Sequence, residues 1–169
     1  MFLYDLFLKK ADKNDLKILF DLKNEVQFFH HRVAFLNETD QLNWFENIDK
    51  DVYQPKNLIL IGANPDCTNE NLGVLFFTNI NYIHGTADLG CDIFPNFRNK
   101  GFGTRLMSSG LQFCKDILRL RKINAEVLEF NLPSQKMLIK NGFVQEGVKK
   151  EQVFKNGNFV DSIIWAKFL

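Results

Sequence analysis

The stretch Arg98-Asn99-Lys100-Gly101-Phe102-Gly103-Thr104 joins two segments of different character. An apolar run, residues 89–94, precedes it and is followed by Pro95. After the stretch, apolar residues recur with helical spacing over residues 106–118. The pattern predicts a strand, a glycine-containing loop and a helix. Because glycine lets the backbone approach an anion closely and helix N-termini attract phosphate, we expect a phosphate or pyrophosphate to bind here.

The positions of the glycines narrow the kind of phosphate site. The stretch is neither the P-loop pattern G-x-x-x-x-G-K-[ST] nor the dinucleotide pattern G-x-G-x-x-G. Arg98-x-x-Gly101-x-Gly103 resembles Q/R-x-x-G-x-G/A, the acetyl-CoA pyrophosphate loop of the GNAT superfamily of N-acetyltransferases. A pattern this short also fits a plain strand–helix turn. The residues downstream therefore bear on the choice between the two.

Residues 131–143 resemble a second segment of the same family. Asn131-Leu132-Pro133-Ser134 and Lys140-Asn141-Gly142-Phe143 are similar to its N-x-x-S and GF elements. Asn131 also suits the N-cap of a short helix, and Gly142 suits the left-handed residue after it. The resemblance supports the acetyl-CoA loop over a plain turn.

The end of the chain predicts a hairpin, because Asn156-Gly157 lies between two apolar runs. Glu146-Gly147, Asn156-Gly157 and Asp161 together resemble the ending of one GNAT branch. That branch includes ribosomal-protein alanine, spermidine and amino-sugar acetyltransferases. The resemblance covers residues 72–169 well and the first half of the chain in outline.

The resemblance implies a single GNAT domain over residues 1–169, of the α/β (α+β) class. The element order β-α-α-β-β-β-α-β-α-β-β predicts one mixed, mostly antiparallel sheet of about seven strands flanked by four helices. Two parallel strands, residues 86–93 and 123–130, are expected to splay apart, as they do in the family. Asp12 with Asp15 should begin the first helix, and Asn37 or Thr39 the second.

Composition limits the classes of partner. The chain has 169 residues and a net charge of +1, which fits one domain and argues against a nucleic-acid binder. Cys67, Cys91 and Cys114 lack paired spacing, which fits a reducing cytosol. Residues 1–5 do not form a signal peptide, and no apolar run approaches the roughly 18 residues that span a bilayer. We expect a cytoplasmic protein, monomer or homodimer, without a membrane partner.

The resemblance implies acetyl-CoA as the cosubstrate and assigns residues to it. Asn131 matches a residue that commonly contacts the pantetheine arm. A main-chain N–H near Ile93 would stabilise the negative charge that develops on the thioester oxygen. The expected pyrophosphate contacts are Arg98, Asn99, Lys100, Gly101, Phe102, Gly103 and Thr104. For Arg98 and Lys100, the alternative is a solvated loop position.

The acceptor is expected to be a primary amine, which must lose a proton before it attacks. Asp88 is the first candidate for the base, because it matches an acidic residue of this branch; a structural role at the strand end is the alternative. Glu126 and Glu129 are weaker candidates. Many GNAT enzymes carry a tyrosine, as the acid for the CoA thiolate, at the position of Leu138. Here water or Ser134 would supply the proton, or the thiolate would leave without an acid, because its ordinary pKa is near 8.5.

The acceptor pocket should be walled by the first two helices and the loop between them. The residues expected there are Asn24, Glu25, Phe28, His30, His31 and Trp44. The two adjacent histidines lack a third ligand at a suitable spacing, so we expect them to line the pocket or face solvent, with no metal site. Among acceptors, the sequence favours a protein N-terminus or an antibiotic-like amine, then an amino sugar, then a polyamine.

Three functions remain open from the sequence. The first is an acetyl-CoA-dependent N-acetyltransferase that works by direct attack in a ternary complex. The second is a non-catalytic acyl-CoA-binding module, which the missing tyrosine favours. The third is a different nucleotide-binding α/β domain, which direct comparison of CoA and ATP binding would separate from the others.

Overall fold

The computed structural model describes residues 2–3, 6–31, 37–46, 48, 51, 53–64 and 67–169. Within these residues, one mixed sheet of eight strands carries four α-helices. The strands are β1 (Phe2–Leu3), β2 (Leu6–Lys10), β3 (Leu58–Asn64), β4 (Cys67–Asn81), β5 (Thr86–Ile93), β6 (Lys122–Leu128), β7 (Val144–Lys155) and β8 (Asn158–Phe168). The helices are α1 (Leu16–Val26), α2 (Glu38–Glu46), α3 (Phe102–Asp116) and α4 (Leu132–Lys140).

The strand order in the sheet is β1-β2-β3-β4-β5-β6-β8-β7. Neighbouring strands are antiparallel except β5 and β6, which are parallel and joined through α3. The predicted fold class is confirmed: all seven expected strands are present, and the two-residue β1 is added at one edge.

The parallel pair opens part-way along its length. Its register runs from Thr86↔Lys122 to Asp88↔Asn124 and stops there. Beyond that point, β5 stays paired with β4 and β6 stays paired with β8. A gap therefore separates the carboxyl ends of β5 and β6, which confirms the predicted splay.

Helices cover both faces of the sheet. On one face, α3 packs Leu106, Met107 and Leu111 into the main apolar core. On the other, α1 packs Leu19 and Leu22 against β3 and β4 in a second cluster. Strand alternation places Asp92 on the α1 face, because its cross-strand partner Val74 belongs to that second cluster.

The predicted helix starts are present. The side chains of Asp12 and Asp15 cap each other's backbone at the turn before α1. Asn37 Oδ1 accepts a hydrogen bond of 2.8 Å from the N–H of Asp40 at the start of α2. Asn131 caps α4 in the same way. Among the helices described, none is long and apolar enough to cross a membrane.

Candidate active site

The glycine loop reaches the N-terminus of α3 through a left-handed turn. Asn99 and Gly101 have φ of 58° and 84°. A Cβ at Gly101 would meet no atom within 4 Å, so this residue borders open space. A Cβ at Gly103 would instead lie 3.2 Å from Met137 Sδ and 3.4 Å from Ile93 Cγ1. Gly101 thus sets the backbone conformation, whereas Gly103 permits close packing of α3 on β5 and α4.

The N–H of Ile93 is directed into the gap between β5 and β6. Phe94 donates its N–H to the Leu72 carbonyl over 3.1 Å, so its backbone bonds face β4. Successive residues of a strand direct their N–H groups to opposite sides. Ile93, which lies opposite Gly73, therefore points its N–H away from β4. The glycine loop and this donor lie at the same end of the gap.

Arg98 connects the loop, β5 and α1. Its Nε donates to the Ile93 carbonyl over 3.0 Å, and its Nη1 donates to Glu25 Oε1 over 2.8 Å. Nη2 is buried and has no hydrogen-bond partner within the described residues. Lys100 Nζ donates to the Asn96 carbonyl over 2.8 Å. Both cations are thus held against the loop backbone.

Helix α4 lies beside the loop and begins at Asn131. Asn131 Oδ1 accepts a hydrogen bond from the N–H of Ser134 over 3.3 Å. Leu138, at the usual tyrosine position, is 1% exposed and belongs to the main core. Ser134 lies one helical turn before Leu138, on the same side of α4.

Asp88 lies in the last pair of the parallel strands, opposite Asn124 and just before the gap begins. Its Oδ2 accepts a hydrogen bond from Asn79 Nδ2 over 2.7 Å, and its Oδ1 accepts one from Asn124 Nδ2 over 3.3 Å. It precedes Ile93 by five residues, which corresponds to roughly 16 Å along a strand. The structure therefore does not bring this carboxylate next to the Ile93 N–H.

Two adjacent histidines contact side chains of the strands around the gap: His30 contacts Asp92 on β5, and His31 contacts Ser162 on β8. His30 Nε2 lies 3.1 Å from Asp92 Oδ2 on β5. His31 Nε2 lies 2.7 Å from Ser162 Oγ on β8. Ser162 Oγ donates to Glu126 Oε1 over 2.7 Å.

The surroundings of His31 form a cavity of about 390 Å³ on the α1 face of the sheet. Burial lowers the pKa of His31 from its ordinary value of 6.5, against the opposing charge of Glu126. Burial alone would raise the pKa of Glu126, but hydrogen bonds from Lys149 and Ser162 together with the charge of His31 lower it. The residues that line the cavity are His31, Glu126, Gln152, Val153 and Phe154.

The other residues expected in the acceptor pocket have varied surroundings. Glu25 binds Arg98, as described above, and Phe28 packs on Phe130 with ring centroids 5.0 Å apart. Lys23 Nζ lies over the Trp44 ring, 4.0 Å from the ring centroid. Asn24 is half-buried on α1. Among the described residues, no group of three or more His, Cys, Asp or Glu side chains is placed to hold a metal.

The sequence did not indicate a role for Ser162, Lys149, Gln152, Phe154 or Asp92. These residues lie on β-strands. The alternation of a strand predicts which face of the sheet a side chain lies on, but it does not predict which side chain of another strand it contacts. The histidine pair was the one signal in the sequence that could have led to them.

Comparison with known proteins identifies the family. Residues 5–144 match the family described as an acetyltransferase (GNAT) domain. This chain belongs to the GNAT acetyltransferase family. The predicted family, whose model is described as an acetyltransferase domain, is therefore confirmed.

Several N-acetyltransferases resemble this GNAT chain. The uncharacterized N-acetyltransferase YoaA of Bacillus subtilis is 30% identical over 68% of the chain and 65% of its own length, just under two thirds. The spermidine N(1)-acetyltransferase of Vibrio cholerae is 26% identical over 97% of the chain and 95% of its own length.

The fold agrees with that of a solved enzyme. A crystal structure of spermidine N-acetyltransferase from Vibrio cholerae, in complex with CoA and spermine, superposes with a TM-score of 0.88. The superposition covers 98% of this chain and 96% of the Vibrio cholerae chain, at 22% sequence identity.

Proposed function

We propose that this GNAT domain transfers the acetyl group of acetyl-CoA to a primary amine, by direct attack while both substrates are bound. The observation that carries the proposal is the open end of the β5–β6 pair. The Ile93 N–H points into that gap, beside a glycine loop whose open side faces away from the protein at Gly101. A thioester in the gap would place its carbonyl oxygen within reach of a fixed hydrogen-bond donor, which stabilises developing negative charge.

The chain's own residues fit acetyl-CoA, which supplies an acetyl group activated as a thioester. The loop from Arg98 to Thr104 would hold the pyrophosphate through backbone N–H groups at the start of α3. Asn131 would contact the pantetheine arm through its amide nitrogen, because its Oδ1 already caps α4. Ser134 would be the hydroxyl that gives a proton to the departing sulfur, because it lies one turn before Leu138 on the same side of α4. A thiolate whose ordinary pKa is near 8.5 also leaves tolerably without an acid.

The charges around the cavity support a particular order of acceptors. Within the described residues that line it, Glu126 is the one carboxylate, and it pairs with Lys149 over 2.7 Å. A polyamine would require several uncompensated carboxylates. We therefore rank a protein N-terminus or other small amine, or an amino sugar, ahead of a polyamine, although the Vibrio cholerae relative is named for spermidine.

We also infer that residues 1–169 act as one domain, because a single sheet carries both the loop and the cavity. A cytoplasmic enzyme, as a monomer or homodimer, remains the prediction from the sequence.

The function is tested by two measurements on the purified protein. Calorimetry with acetyl-CoA should show binding that free CoA competes away. Release of free thiol should then be measured with a short peptide that has a free N-terminus, with glucosamine and with spermidine. Turnover with an amine is the expected result. Binding without turnover on any amine would instead favour the non-catalytic acyl-CoA-binding module.

A further inference from the structure

We propose that His31 is the general base of the transfer, oriented by Ser162 and through it by Glu126. The proposal rests on the proposed function and names the residue that receives the amine's proton. It replaces Asp88 and Glu126 as the direct base with a histidine for which the sequence predicted only a place in the pocket wall.

The hydrogen bonds fix which nitrogen of His31 is free to accept a proton. Ser162 has one hydroxyl proton, and it donates this proton to the Glu126 carboxylate over 2.7 Å. Ser162 Oγ must therefore accept its 2.7 Å hydrogen bond from the Nε2–H of His31. Nδ1 of the neutral ring is then unprotonated. The three side chains leave one basic nitrogen in a fixed orientation.

The position of His31 suits a proton acceptor. Glu126 lies two residues beyond Asn124, where the β5–β6 pairing has already ended. His30, the neighbour of His31 in the chain, is bonded to Asp92, which directly precedes Ile93. The His30–His31 segment thus spans from the Ile93 end of β5 to Ser162, on the α1 face. His31, and not His30, lines the cavity of about 390 Å³.

Burial lowers the pKa of His31 and keeps its ring neutral near pH 7. Glu126 favours the charged ring, but burial is the largest effect and disfavours it. The groups that act on it are Glu126 of β6, Lys149 and Lys155 of β7, and His30, which is itself bonded to Asp92. A neutral imidazole at the working pH is the form that a base requires.

In the proposed step, the ammonium group of the acceptor gives one proton to Nδ1 of His31. The lone pair that this leaves on the amine nitrogen forms the bond to the acetyl carbon. The carbon–sulfur bond breaks, and its electron pair stays on sulfur. The second proton of the nitrogen passes to that sulfur or to water, and His31 returns its own proton to solvent.

The main test compares two histidine variants with the wild type in the thiol-release assay, with the amine that the wild-type protein uses best. His31→Gln should lower kcat by about 100-fold or more, the usual size of a general-base effect, with the Kd for acetyl-CoA unchanged. His84→Gln is the matched control, because His84 lies in an exposed turn between β4 and β5, and it should leave both constants unchanged. Circular dichroism and thermal unfolding confirm that each variant is folded.

The pH profile separates a base from a merely structural residue. Glu126→Gln removes the charge that raises the pKa of His31, so the acidic limb of kcat should move to lower pH. Ser162→Ala should lower kcat less than His31→Gln does, because Ser162 orients the ring and does not receive the proton. In His31→Gln, the acidic limb should disappear from the residual rate.

Other outcomes overturn the assignment. A near-wild-type kcat in His31→Gln would exclude His31 as the base. If His31→Gln stays active and one of the variants Asp88→Asn, Glu126→Gln or His30→Gln loses its rate at neutral pH, the residue changed in that variant is the base. These results leave the proposed function intact. If the wild-type protein binds acetyl-CoA but acetylates no amine, the proposed function itself fails, and the base assignment fails with it.

Discussion

The two sides of the candidate active site are built from different parts of the polypeptide. The cofactor side, which comprises the loop at residues 98–104 and the Ile93 N–H, consists mainly of backbone groups held by one strand–loop–helix unit. The acceptor side, which comprises His31, Ser162 and Glu126, consists of side chains from three separate elements. The cofactor side depends on the backbone conformation of the loop, whereas the acceptor side depends on which side chains are present. Substitutions on the cofactor side should therefore weaken acetyl-CoA binding, and substitutions on the acceptor side should lower the rate of transfer.

On the cofactor side, the largest effect should come from Gly101→Val. Its φ of 84° strains a β-branched residue, and such strain costs about 1–3 kcal/mol. Relief of that strain would turn the loop N–H groups away, so the Kd for acetyl-CoA should rise about tenfold to 100-fold in calorimetry. Gly157→Val is a matched control, because Gly157 also has φ of 84° and open space beside it, in the β7–β8 turn. It should lower stability without changing Kd. Equal Kd values for the wild type, Gly101→Val and Gly157→Val would show that the loop does not bind acetyl-CoA.

A smaller effect is expected from Arg98→Ala, which tests whether a side chain on the cofactor side also matters. It removes the hydrogen bond to the Ile93 carbonyl and the contact with Glu25. A lost charged hydrogen bond of this kind should lower kcat/KM by about tenfold. Arg121→Ala is the control, because Arg121 Nε donates in the same way to the His84 carbonyl over 2.9 Å. If both variants lose equal activity, the link to Ile93 has no special role.

Leu138→Tyr restores the residue usual in the family, at a position that is buried here. The added ring and hydroxyl overfill the core around α4, which typically costs about 1–3 kcal/mol of unfolding free energy. We expect a lower midpoint in urea unfolding and no gain in kcat. A variant of wild-type stability with a faster rate would show that the tyrosine site is open to the gap.

The smallest effect concerns stability and pH. Because the pKa of His31 is lowered in the folded protein, the unfolded chain binds its proton first as the pH falls below about 6.5. The contribution of this neutral histidine to stability is present above that pH and is lost as the pH falls through its folded pKa. Urea unfolding at pH 7.5 and 5.5 should therefore show a slightly smaller acid loss in His31→Gln than in the wild type. An identical loss would mean that His31 titrates normally.

The same contrast explains what the sequence could predict. Gly101, Asn131 and the Asn156-Gly157 turn determine structure within a few residues, so their patterns predicted the loop, the start of α4 and the hairpin. The β5–β6 splay followed from the family resemblance and is confirmed by the register that ends at Asp88 and Asn124.

The acceptor side could not be predicted in the same way. His31 and Ser162 are 131 residues apart in the chain, and their contact depends on how β8 lies beside β6. Strand alternation puts Asp88 and Asp92 on one face of β5, but it does not show that the pairing with β6 ends at Asp88 and is open at Asp92. The sequence favoured Asp88 on the family resemblance, and in the structure Asn79 and Asn124 hold this carboxylate in the paired part of β5, five residues before Ile93.

The most direct test of this division is the initial rate of thiol release as a function of acetyl-CoA concentration, measured for the wild type, Gly101→Val and His31→Gln. Gly101→Val should raise the half-saturating concentration of acetyl-CoA with little change in the plateau rate. His31→Gln should lower the plateau rate with little change in the half-saturating concentration. Variants that changed both constants together, or the opposite one, would contradict the separation of cofactor binding from proton removal.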